Sequence, residues 1–307
     1  MREFRNVNRL AFGLMAAALL GASAASALFS ALNIRNLLLR YVILYAFQFG
    51  VPLAVFIRRN PMPLRERFRW KAASPASFAV AIAFAVLVQP ALMLLSAVTS
   101  LFSPNVAEQA MAAYREVPFW MSLIAVALIP AFCEEMAFRG AYLTGCKRLP
   151  VFAAAALCGL AFGMMHMNLQ QAVYAACFGF LCSLVAVACN SVWPSVAVHF
   201  VVNASQLTLA RALSEGWFGE VSAADGQATG TLQSILALLP AGVLSLAAAF
   251  GCLYLLFRLN GKTALLKNRR AEEEPMLSKE ERLPGMLWFL GAVAVFAGGS
   301  LMILIAS

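Results

Sequence analysis

Five ionisable residues lie inside long apolar stretches of this 307-residue chain rather than between them. They are Glu134, Glu135, Arg139, His166 and His199, and the chain contains no other histidine. A charged residue at the centre of a membrane-spanning helix costs about 2.5–3.5 kcal/mol on insertion scales, so such residues are as a rule paired and functional. The set therefore marks a candidate functional site.

Helical spacing separates a supporting pair from a reactive carboxylate. Glu135 and Arg139 are four residues apart, so they share a helix face and can form an ion pair. Glu134 is rotated by about 100° from Glu135. It can therefore face a cavity, where a carboxylate can act as a general base on water.

The histidines have partners at the same spacing. Phe162 precedes His166 by four residues, and His199 precedes Asn203 by four, so each pair lies on one helix face. An imidazole and a carboxamide can donate hydrogen bonds to an oxyanion that develops on a scissile carbonyl. A second imidazole can help the glutamate to deprotonate an attacking water. Together these groups predict peptide hydrolysis without a covalent nucleophile.

The same residues leave open whether a divalent cation is bound. Its ligands would be Glu134, Glu135, His166 and His199. The His-Glu-x-x-His pattern of many zinc proteases is absent from the sequence. We therefore expect that no cofactor is required, and zinc is the alternative.

Transmembrane helices must position these residues. Apolar residues make up 62% of the chain and charged residues 12%, against about half and about a quarter in soluble domains. The sequence predicts an all-α, polytopic transmembrane helix bundle of eight or nine spans, in a single membrane domain over 1–307. The predicted spans are 10–32, 37–57, 74–100, 117–145, 150–167, 170–189, 193–211, 231–257 and 284–306.

The basic residues indicate orientation rather than a nucleic-acid partner. The net charge is +9, but lysine and arginine cluster in alternate segments between the spans, 18 on the N-terminal side against 4 on the other. Such a bias places the N-terminus in the cytoplasm. We expect an integral protein of the bacterial cell (inner) membrane, with a charged cytoplasmic loop at 258–283.

Two segments leave alternatives open. Arg2, Arg5, an apolar run and the small residues 22–27 resemble a signal peptide, although the apolar stretch from Leu10 to Leu32 is longer than a usual signal core, which favours an uncleaved span. The segment after Ser103 is either a surface-lying amphipathic helix or a loop.

Three motifs resemble those of the CPBP (CAAX protease and bacteriocin-processing, Abi) family. Residues 133–140 (CEEMAFRG) are similar to its Glu-Glu-x-x-x-Arg motif, 162–166 (FGMMH) to Phe-x-x-x-His, and 199–203 (HFVVN) to His-x-x-x-Asn. The motifs occur in the expected order within a predicted catalytic core at 117–210. The chain is thus similar to type II CAAX prenyl endopeptidases.

The resemblance implies an intramembrane endopeptidase. It implies that Glu134 and His166 activate water and that His199 and Asn203 stabilise the oxyanion, while Glu135, Arg139 and Phe162 support the site. The implied partners are a peptide or protein substrate, with or without a lipid, and membrane lipids. A non-catalytic bacteriocin-immunity or scaffold protein is the alternative, followed by an ion-coupled transporter. The natural substrate and the oligomeric state stay open.

Overall fold

The computed structural model describes residues 3–103, 117–217, 232–267, 269–270 and 275–306. These residues form helices, and their β-structure is limited to an isolated bridge between Pro150 and Arg270. Short helical turns occur at Leu64–Arg67 and Thr263–Lys267. The longer helices of the described chain are α1 Glu3–Ala31, α2 Leu37–Arg59, α3 Pro75–Ser100, α4 Phe119–Gly145, α5 Val151–Met164, α6 Leu169–Cys189, α7 Trp193–Ser214, α8 Leu232–Leu259 and α9 Lys279–Ala306.

The predicted all-α polytopic bundle is confirmed. Within the described ranges, seven helices are long and apolar enough to cross a membrane, and α1 makes eight if Glu3–Gly21 and Ala24–Ala31 form one bent span. The predicted span at 150–167 differs from the structure, because α5 has only 14 residues. That length covers about 21 Å, less than the roughly 30 Å of hydrocarbon.

The centre of the bundle is formed by α4 and α6. In an apolar 18-residue window of each helix, 72% of the α6 residues and 56% of the α4 residues are buried, against 6% of the α2 residues. Helix α6 packs most extensively against α5. Gly159 and Gly163 of α5 allow this contact, since a Cβ at either position would collide with the α6 backbone.

Helix α4, which carries the first motif, alternates between α-helical and π-helical hydrogen bonding. The α-helical stretch Ile129–Glu135 lies between the π-helical stretches Leu123–Leu128 and Met136–Tyr142. A third π-helical stretch, Ala46–Gly50, interrupts α2. Such insertions are frequent at functional sites, and two of them flank the motif glutamates.

The charged segment predicted at 258–283 contacts the turn between α4 and α5. The Val151 amide donates to the Arg269 carbonyl over 3.1 Å, and Arg148 pairs with Glu281 at 2.8 Å. The cytoplasmic location of this segment stays a prediction. The predicted amphipathic helix after Ser103 lies outside the described residues.

Candidate active site

A buried ion pair joins two residues of the first motif. Arg139 Nη1 donates to Glu135 Oε1 over 2.7 Å, and neither side chain is exposed. The pair has the four-residue spacing on α4 that the sequence predicts. It places a carboxylate and a guanidinium together in the apolar centre of the bundle, where each offsets much of the desolvation cost of the other.

His199 lies between the two motif glutamates. Its Nδ1 donates to Glu135 Oε1 over 2.9 Å, while its Nε2 lies 3.8 Å from Glu134 Oε2. Only 3% of His199 and 4% of Glu134 is exposed. Since Glu135 engages Nδ1, Nε2 is the imidazole nitrogen directed at Glu134.

Glu134 has a partner that sequence reasoning missed. The Tyr45 hydroxyl, from α2, donates to Glu134 Oε1 over 2.8 Å. Charged residues and histidines stand out in an apolar span, whereas a tyrosine also contributes a large apolar ring to ordinary packing. The four-residue spacing of Tyr41 and Tyr45 was the available signal, because it puts two hydroxyls on one face of an apolar helix.

Phe162 of the second motif contacts a guanidinium from α4 and imidazole rings from α7 and from the turn after α5. The Arg139 guanidinium carbon lies 4.4 Å from its ring centroid, and the His166 and His199 rings meet it edge-on at 5.1 and 5.8 Å. The Gly179 Cα on α6 leaves room for this arrangement, since a Cβ would come within 2.9 Å of Phe162. Phe162 therefore packs between the first and third motifs.

His166 follows the end of α5. Its Nδ1 donates to the Phe162 carbonyl over 3.0 Å, which leaves Nε2 for another partner. The structure brings His166 to the cluster through its edge-on contact with Phe162.

Asn203 contacts the backbone of α4. Its side-chain amide donates to the Val126 carbonyl over 3.1 Å. Pro130 has no N–H, so it cannot supply the bond that residue 130 would donate to that carbonyl in a regular α-helix. Asn203 thus supports the Pro130 break, and the second hydrogen of its amide is available to a ligand.

The four residues named as ligands of a divalent cation do not form a metal site as they are arranged. Throughout the described ranges, no group of three or more His, Cys, Asp or Glu side chains is placed to hold a metal ion. Glu135 Oε1 already accepts from Arg139 and from His199. That no cofactor is required and that zinc is the alternative both stay predictions.

Comparison with known proteins identifies the region that carries the motifs. Residues 116–205 match the family model described as type II CAAX prenyl endopeptidase Rce1-like. All three motifs fall within this range, which confirms the resemblance seen in the sequence. No curated protein and no solved structure matches the chain significantly.

Proposed function

We propose that this chain, whose residues 116–205 match the family model of type II CAAX prenyl endopeptidases, is an integral membrane protease that uses Glu134 to activate the water that attacks a peptide bond. One observation carries the proposal. Glu134 Oε2 faces His199 Nε2 at 3.8 Å, while Tyr45 engages the other carboxylate oxygen. A water that contacts both Oε2 and Nε2 would have a base on one side and an imidazole on the other.

The reaction follows from these groups. Glu134 takes a proton from the water, and the resulting hydroxide attacks the peptide carbonyl carbon. The oxyanion of the tetrahedral intermediate accepts hydrogen bonds from Asn203 and from His199, whose Nε2 can donate when the ring is protonated. The proton on Glu134 then passes to the leaving nitrogen as the C–N bond breaks. His166 helps to orient the water, and the Glu135–Arg139 pair orients His199.

The substrate is a peptide or protein at the membrane, either CAAX-like or of another sequence, with or without a lipid. Glu134 lies eleven residues before the end of α4 at Gly145, a helical distance of about 17 Å. The bias of basic residues supports an N-terminus in the cytoplasm, and a bacterial inner-membrane location is part of the proposal. The substrate would then enter from the cytoplasmic side or from the inner leaflet.

Purified protein in liposomes tests the proposal with a fluorogenic peptide library, in which some members carry a lipid on cysteine. We expect turnover by the wild type and a loss of about 10²–10⁴-fold in Glu134→Gln, His166→Ala and His199→Ala. Glu280→Gln, at an exposed glutamate, is the matched control and should keep wild-type turnover. Turnover that persists in all three site variants would contradict the site assignment.

A chelator arm tests the cofactor proposal. Because no cofactor is required in this mechanism, turnover should survive chelation. Loss with the chelator and recovery with Zn²⁺ would favour the zinc alternative instead. If Glu134→Gln left a cellular phenotype of the protein intact, that result would favour the non-catalytic bacteriocin-immunity or scaffold function.

A further inference from the structure

A hydroxyl from outside the family-matched region reaches the carboxylate of Glu134. Tyr45 belongs to α2, whereas the match begins at residue 116. Its hydroxyl oxygen lies 2.8 Å from Glu134 Oε1 and donates to it. None of the three motifs includes this residue. We propose that Tyr45 is a positioning residue for Glu134, an inference that rests on the proposed function.

The bond gives the two oxygens of Glu134 different tasks. Oε1 accepts from Tyr45, and Oε2 is left facing His199 Nε2 at 3.8 Å. A carboxylate held at one oxygen cannot rotate about its last torsion without losing that bond. Tyr45 therefore keeps Oε2 directed to the position of the attacking water, and alignment of this kind lowers the entropic cost of the reaction.

Tyr45 is itself held in place by its neighbours on α2. Its ring stacks between those of Tyr41 and Phe49, at centroid distances of 4.7 and 5.2 Å. The Tyr41 hydroxyl donates to the Tyr45 hydroxyl over 3.3 Å. Because the Tyr45 oxygen accepts that hydrogen, its own hydrogen is directed to Glu134, and each bond polarises the next.

The surroundings of Tyr45 separate this contact from ordinary helix packing. Neighbouring apolar side chains on α2 are turned outward, with Leu39, Val42 and Phe47 between 43% and 47% exposed. A helix with this outward face reaches the buried Glu134 through a polar bond. The π-helical stretch that starts at Ala46, directly after Tyr45, changes the phase of the helix at this point.

Kinetics of Tyr45→Phe test the proposal, because the variant removes the donor and keeps the ring. A hydrogen bond to a charged acceptor is worth about 10- to 100-fold in equilibrium terms, so kcat should fall by about that factor while KM changes by less than about threefold. Binding of the substrate does not need the aligned oxygen, so a fall in kcat with KM kept is the sign of lost positioning.

Two matched variants serve as controls. Tyr254→Phe removes a hydroxyl from an exposed tyrosine of α8 and should leave kcat and KM unchanged. Tyr41→Phe keeps the Tyr45–Glu134 bond and should show a smaller fall in kcat than Tyr45→Phe. A wild-type kcat in Tyr45→Phe would overturn the proposal. A fall in kcat accompanied by an equally large change in KM would also overturn it, because that result marks a merely structural role.

A substrate-independent measurement separates this inference from the proposed function. Infrared difference spectra of the carboxylate stretches, assigned with Glu134→Gln, report the hydrogen bond to Glu134 without any substrate. If the wild type shows no turnover, the proposed function fails, and the infrared bands still decide on Tyr45. A shift of the Glu134 bands in Tyr45→Phe supports the positioning role, and unshifted bands overturn it.

Discussion

The two motif glutamates differ in how much of each carboxylate is already engaged. Glu135 Oε1 accepts from both Arg139 and His199, and Glu135 is fully buried. Glu134 accepts from Tyr45 at one oxygen and faces His199 Nε2 with the other. Glu135 is therefore suited to orient the imidazole, and Glu134 is suited to act as the base.

The buried pair predicts a strong dependence of folding on Arg139. Arg139→Met leaves Glu135 as a buried carboxylate without its guanidinium, so the free energy of unfolding should fall by about 3–5 kcal/mol. The double variant Glu135→Gln, Arg139→Met removes both charges and should unfold with a smaller loss than Arg139→Met alone. Denaturant unfolding in detergent, followed by tryptophan fluorescence, measures both. A double variant less stable than Arg139→Met would contradict the pairing.

Residue spacing predicted the contacts within one helix and missed those between helices. Glu135 and Arg139 lie one helical turn apart, so their ion pair could be expected from the sequence. Tyr45 and Glu134 are 89 residues apart in the chain, and their bond depends on how α2 packs against α4. The bond from Asn203 to the Val126 carbonyl was missed for the same reason.

At the scale of elements, the close contact of α5 with α6 positions Phe162. Gly159 and Gly163 are four residues apart, a spacing that brings membrane helices close together. A Cβ on Gly159 would lie 2.5 Å from the Ala176 carbonyl oxygen and 2.7 Å from the Phe180 nitrogen. The obstacles are backbone atoms, so the helices would have to separate.

Gly159→Ala should therefore destabilise the protein, although alanine is the better helix former. We expect a loss of about 1–3 kcal/mol in the free energy of unfolding. Gly251→Ala on α8 is the matched control, because its Cβ meets nothing within 4 Å, and it should be neutral or stabilising by up to about 1 kcal/mol. Thermal unfolding in detergent compares the two variants. Equal midpoints would show that the helices have room to adjust.

The end of α5 shows what hydropathy cannot predict. The apolar residues continue to Met167, so the sequence predicted a full span over 150–167. The chain instead leaves the helix after Met164 and turns at Met167, whose φ is 54°. Methionine has no preference for left-handed backbone, so the sequence gives no signal for this turn. The turn is identified by its packing against α9, where Ser300 donates to the Met167 carbonyl over 3.2 Å.

At the scale of the whole molecule, segments between the helices tie distant parts of the chain together. The Val192 amide donates to the Arg69 carbonyl over 3.2 Å, and the Ser191 hydroxyl to the Lys71 carbonyl over 2.6 Å. These bonds join the linker after α2 to the turn before α7. Lys262, beyond α8, donates to the Val187 carbonyl in the last turn of α6 over 2.8 Å. Basic residues that served above only to predict orientation thus also lie at contacts between helix ends, Arg69 and Lys71 through their carbonyls and Lys262 through its side chain.

Lys262 makes the stability of the fold depend on pH. Burial, together with the positive charge of Arg69, lowers the pKa of Lys262 from 10.5 to about 8. The folded protein therefore binds this proton less tightly than the unfolded chain does. Protonation of Lys262 destabilises the folded state, so the free energy of unfolding rises as pH increases from about 8 towards 10.5. Lys262→Met should lack that rise, while Lys267→Met, at an exposed lysine of the next turn, should keep it. Unfolding midpoints of the three proteins between about pH 7 and about pH 10 measure the effect. Parallel curves for the wild type and Lys262→Met would contradict it, because the rise would then come from other groups.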